Sequence, residues 1–146
     1  MKTSSDVPES YRRSLAGIDY TSPVCKINVA LDRIPNFLAD PNSSSDGVMP
    51  HHQATIHLNC EDSEMIERAY SDAKSGIYSR HPLIEMVLPT SRDPTLAPPG
   101  HHVCLLFTQF APYQLREGTW DEETKEKYAQ LVFDSIERSV QLCCDS

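Results

Sequence analysis

A chain of 146 residues with 39% hydrophobic positions is long enough for one globular domain with its own core. Its formal net charge of -8, from 21 acidic against 13 basic side chains, argues against a nucleic-acid backbone or an anionic membrane surface as the natural partner. The longest apolar run, residues 103–107, is far shorter than the roughly 18–20 residues of a spanning helix, so no membrane span is expected.

The first ten residues carry neither the apolar stretch of a secretory signal nor the Arg-rich character of an organelle transit peptide. Asp6 and Pro8 mark a helix start, and Tyr11, Leu15 and Ile18 recur at helical spacing, which predicts a short helix over 8–16 ended by Gly17. Residues 1–19 are read as this N-terminal segment, 20–142 as the domain and 143–146 as a tail.

In 24–31, Cys25, Ile27, Val29 and Leu31 alternate with Lys26, Asn28 and Ala30, the pattern of a half-buried strand. Residues 38–50, rich in Asp, Pro, Asn, Ser and Gly, read as an exposed loop. A second strand is predicted over 53–60, with Ala54, Ile56, Leu58 and Cys60 on one side and Gln53, Thr55, His57 and Asn59 on the other.

Met65, Ile66, Ala69, Tyr70 and Ala73 then predict an amphipathic helix over 62–75, with Glu64 in its first turn and Gly76 after its last. A third strand follows at 83–88. Pro89, Pro94, Pro98 and Pro99 stiffen the loop after it. Residues 102–110 are the least polar strand and therefore the most central one. Thr119 and Glu122 fit a capping box ahead of a helix carrying Tyr128, Leu131, Val132, Ile136 and Val140. The expected fold is α+β: a mostly antiparallel four-stranded sheet with both long helices on one face.

The strand residues of opposite parity, Lys26, Asn28, Thr55, His57, Asn59 and Glu85, share the face the helices leave bare. Such a face is ordinarily solvated. Alternatively it roofs a ligand cavity completed by another domain, and His57 is then the sharpest candidate, because imidazole exchanges protons near neutral pH. Lys26, His57 and Glu85 are the candidate catalytic residues.

Other chemistries find less support. His51-His52 and His101-His102 are adjacent, which in a strand sends the two rings to opposite faces, and there is no H-x-x-x-H spacing, so no metal site is expected. The five cysteines, Cys25, Cys60, Cys104, Cys143 and Cys144, include no C-x-x-C pair and do not read as a disulfide framework. Cys25 and Cys60 have buried parity and read as small core residues. None of the five glycines stands in a dinucleotide or P-loop pattern, so this chain alone is not expected to bind FAD, NAD or ATP.

Tyr20-Thr21-Ser22-Pro23-Val24-Cys25-Lys26-Ile27-Asn28-Val29-Ala30-Leu31-Asp32-Arg33-Ile34-Pro35-Asn36-Phe37 resembles the central region of the FAD-dependent phytoene-dehydrogenase-like oxidoreductases. The resemblance returns at His51-His52-Gln53, at 56–62, at Asp93-Pro94-Thr95-Leu96-Ala97-Pro98-Pro99-Gly100-His101-His102-Val103 and at Phe107-Thr108-Gln109-Phe110-Ala111-Pro112-Tyr113. It implies an oxidoreductase with non-covalent FAD, an unidentified small-molecule substrate and a mitochondrial matrix location, although without a targeting segment a cytoplasmic location stays open. It also implies that this chain is the substrate-side sheet, a truncated or alternatively spliced piece lacking the flavin-binding domain. The family's glycine motifs match no position here, so no functional residue carries over. A different expectation is a non-catalytic module that binds a protein partner through the bared domain interface.

Overall fold

The computed structural model describes residues 7–18, 21–43 and 47–140. Three helices, α1 (Glu9–Ala16), α2 (Ser63–Lys74) and α3 (Glu122–Glu137), accompany four strands, β1 (Val24–Leu31), β2 (Ile56–Leu58), β3 (Leu83–Val87) and β4 (His102–Gln109). The strands form one sheet in the order β1-β4-β3-β2, and every pairing is antiparallel. The apolar 102–109 segment is interior, as its composition predicts, hydrogen-bonded to β1 on one side and β3 on the other.

One face of the sheet carries the core. Ile84, Met86, Cys104 and Leu106 are almost completely buried there, together with Leu58, and Tyr128 and Val132 of α3 close over them. Cys25, Ile27, Val29 and Leu31 of the edge strand β1 pack against this core but remain half-exposed. The loop after β1 folds back to add Ile34 and Phe37, and Phe37 bridges to Val140 beyond α3.

Several local expectations are corrected. The second strand runs over Ile56–Leu58 alone, because Pro50–Gln53 winds into a 3-10 turn and Asn59 takes a left-handed φ of 61°, a conformation Asn tolerates better than most residues. Asn59 is held there by its side-chain amide, which donates to the Pro82 carbonyl at 2.8 Å. Thr119 does not cap α3; Asp121 does, accepting from the Thr124 N–H at 2.9 Å, while the intervening Trp120 donates its indole N–H to the Pro112 carbonyl. The first helix starts at Glu9 with Pro8 at its cap position; Asp6, the cap expected from sequence, lies outside the described residues, as do Cys143 and Cys144.

Both long helices were expected to cover one face of the sheet, but among the described residues α3 is the only helix that contributes side chains to the core cluster. α2 has the expected cap, Asp62 accepting from the Glu64 N–H, but it buries only Ala69 and contributes no residue to the core cluster. Its Tyr70 instead stands edge-on against Phe110, just past the end of β4. Ile66 and Tyr70 stay exposed, so an apolar stripe at helical spacing guaranteed a helix here but not a buried one.

The cysteines illustrate the same point. Among the described cysteines, Cys104 on the interior strand is buried, whereas Cys25 and Cys60 are half-buried. Burial pushes the Cys104 thiol up to about 12. In the folded protein at pH 8, Cys104 should resist alkylation and react after Cys25 and Cys60; peptide mapping by mass spectrometry checks the order of these three.

Candidate functional site

The antiparallel register decides which open-face residues meet. Lys26 of β1 lies opposite Phe107 of β4, Phe107 lies opposite Glu85 of β3, and Glu85 lies opposite His57 of β2. The three sequence candidates therefore stand in one row running straight across all four strands, with Phe107 between Lys26 and Glu85. At about 4.8 Å per strand spacing, the row is roughly 14 Å from end to end.

The row lies on the face away from α3. Lys26 and His57 are exposed, Glu85 is half-buried, and Phe107 keeps 38% of its surface exposed although it belongs to an interior strand. Among the described residues, none of the three polar side chains forms a hydrogen bond or ion pair. Phe107 separates the Lys26 ammonium from the Glu85 carboxylate. Glu85 does exert its field locally: the Cys60 thiol is raised first by burial, then by the negative charges of Glu61 and Glu85.

Parity in β2 and β1 suggested a polar open face, yet its centre is apolar. Val103 and Leu105 flank Phe107 along β4, and Leu83 and Val87 flank Glu85 along β3, so the row crosses an apolar band with charged groups at intervals. Phe107 is the member that sequence reasoning missed. Its signal was the odd parity it shares with Val103 and Leu105, opposite to the buried Cys104, Leu106 and Thr108. The other open-face candidates do not join the row: Asn28 pairs with Leu105, Thr55 precedes β2, and Asn59 turns away to bond Pro82.

A concavity of about 490 Å³ lies beside the edge strand β1 and the start of α3, walled by Cys25, Ile27, Trp120 and Tyr128 with Lys26 and Lys125 among its lining. Among the described residues no set of three His, Cys, Asp or Glu side chains converges as a metal site would require, and no helix is long and apolar enough to cross a membrane.

A bound flavin would need a phosphate cradle, a Gly-rich turn between a strand and a helix. The glycines with positive φ, Gly76, Gly100 and Gly118, stand singly, Gly76 at the end of α2 and the other two in loops. The described residues do not fit a dinucleotide.

No protein-family model and no solved structure matches the chain. Curated proteins do match, among them one from Mus musculus and one from Rattus norvegicus, both called pyridine nucleotide-disulfide oxidoreductase domain-containing protein 2. Each is 52% identical over 132 residues, which is 90% of this chain and 23% of the relative. The chain thus spans about a quarter of the length of these relatives, and what it is similar to is one segment of an oxidoreductase-domain protein.

Proposed function

We propose that this chain supplies the substrate-facing sheet of a flavin-dependent oxidoreductase of the phytoene-dehydrogenase-like type, acting in mitochondria, with the flavin held by parts of a longer polypeptide. The observation that carries the reading is the row Lys26, Phe107, Glu85 and His57 on the sheet face that α3 leaves open. The relatives' name, which is that of an oxidoreductase, gives the class of reaction. The flavin would accept or return a hydride. The residues of this chain would do the rest: the Phe107 band seats an apolar substrate body, Lys26 pairs with an anionic substituent, and His57 and Glu85 exchange the accompanying proton.

The isolated chain should be folded and colourless in the visible region, since its described residues form no dinucleotide cradle. In the longer polypeptide, Lys26→Ala, His57→Ala and Glu85→Ala together should lower kcat/KM by about 100-fold or more while flavin absorbance stays at the wild-type level. Wild-type turnover in that triple variant would end the assignment.

The apolar band supports one other reading, in which the open face docks a protein partner without chemistry. An unpaired face bearing Val87, Leu105 and Phe107 is the kind of surface a missing domain or partner covers. Protection of Lys26 from acetylation in the longer polypeptide, with activity indifferent to the triple substitution, would favour it.

A further inference from the structure

Away from the open face, the loop after β1 meets the Pro50–Gln53 turn through two histidines whose hydrogen bonds leave each ring a single arrangement. His52 is 1% exposed. Its Nδ1 faces the Met49 backbone N–H at 2.9 Å, and an amide can only donate, so this nitrogen is the acceptor and the ring proton sits on Nε2. That Nε2–H has the Pro35 carbonyl at 2.9 Å and His51 Nε2 at 3.0 Å. His51 Nε2 therefore accepts, which places the His51 proton on Nδ1, where it donates to Asp40 Oδ2 at 2.9 Å. The chain of donors runs from the Met49 amide and His52 through His51 to the Asp40 carboxylate, with both imidazoles neutral.

We propose that His51 and His52 form an acid-sensitive latch that clamps the loop around residues 35–40 to the Pro50–Gln53 turn, closed while both rings are neutral and opened by one added proton. The sign follows from the donor count. A proton added to His51 lands on Nε2 and points at the Nε2–H of His52; one added to His52 lands on Nδ1 and points at the Met49 N–H. Either way two donors face each other where one contact had held.

The charged groups around His52 act in both directions. Asp40 favours the extra proton from the loop side, whereas His102, on β4, opposes it. The Nδ1 of His102 meets Thr90 Oγ1 at 3.1 Å. Ser91 donates to the His52 carbonyl and the Arg92 guanidinium donates to the Gln53 carbonyl, so the turn is held from the loop after β3 while the histidines hold the loop after β1. Burial is the largest influence on His52 and lowers its proton affinity from the ordinary value of 6.5. A group lowered in this way adds stability above its unfolded value and loses it as pH falls below about 6.5.

Opening would not stay local. The clamped loop carries Ile34 and Phe37 into the core, and its Leu38 N–H donates to Ser139 at the end of α3 at 3.1 Å.

The test is ring-nitrogen NMR of the whole chain with amide exchange followed from pH 8 to pH 5. At pH 8 His51 should be the Nδ1–H tautomer and His52 the Nε2–H tautomer, and on acidification protection at His52 and Leu38 should be lost in one transition. Asp40 is exposed, so Asp40→Asn should fold; it keeps an acceptor for His51 but removes the charge that favours the proton, and the transition should move to lower pH. An Nε2–H tautomer at His51, protonation without loss of protection, or an Asp40→Asn transition that stays put or rises would each overturn the latch.

Discussion

Leu106→Ala should lower the free energy of unfolding by about 2–5 kcal/mol. Leu106 is 0% exposed on the interior strand, opposite Ile27 of β1 and Met86 of β3, with α3 closing over that face. A backbone paired on both sides cannot move in to fill the cavity. The neighbouring residue provides the control. Phe107→Ala removes a larger side chain from the same strand but from the open face, and should cost no more than about 1 kcal/mol. Urea unfolding of both variants decides the matter through the shift in midpoint. A Phe107 cost as large as that of Leu106 would mean that the open face is packed against something in solution, most simply a second copy, which sedimentation would reveal.

This pair of residues also shows what the sequence made legible. Period-two alternation in 24–31 and 102–109 was enough to assign each side chain to a face, because a strand has only two faces and the core needs one of them. Register is another matter. Whether Lys26, Glu85 and His57 align in a row or scatter over the face depends on pairings between segments far apart in the chain, 83 residues in the case of Cys25 with Thr108, and no local pattern encodes that distance. The three candidates were found by parity; their alignment and the intervening Phe107 came from the ladder.

The misassigned ends have a common physical cause. At 53–60 the alternation was real, but Pro50 and the left-handed Asn59 confined strand geometry to three residues. At the start of α3, Thr119 and Asp121 both carry capping side chains, and the Trp120 bond to Pro112 fixes the chain so that the later one is used. For α2, amphipathicity gave the helix and its ends correctly but could not say what the stripe would meet. His52 was misread for a related reason: in a strand its ring would point away from that of His51, whereas the 3-10 turn brings the two rings together and the closure of the loop after β1 buries His52.

Thr108→Val should cost more than Tyr128→Phe, and the two together less than their sum. Tyr128 is buried on α3, and burial pushes its hydroxyl up to about 12, so it stays protonated and donates to Thr108 Oγ1 at 2.9 Å. Thr108, 0% exposed, passes its own proton to the Cys25 carbonyl at 2.8 Å, tying helix, interior strand and edge strand together. Valine fills the space of threonine but leaves the Tyr128 hydroxyl facing carbon and takes one bond from Cys25; a buried donor without an acceptor costs about 1–3 kcal/mol. Phenylalanine removes only a donor, and Thr108 keeps its bond to Cys25, so that loss should be nearer 1 kcal/mol. With both changes no hydroxyl is stranded, and the double variant should recover part of the Thr108→Val loss. A double-mutant cycle in urea measures the coupling directly. Strict additivity would mean that the hydroxyl of Tyr128 finds another partner once Thr108 is gone, and that α3 is held over the sheet by apolar packing alone.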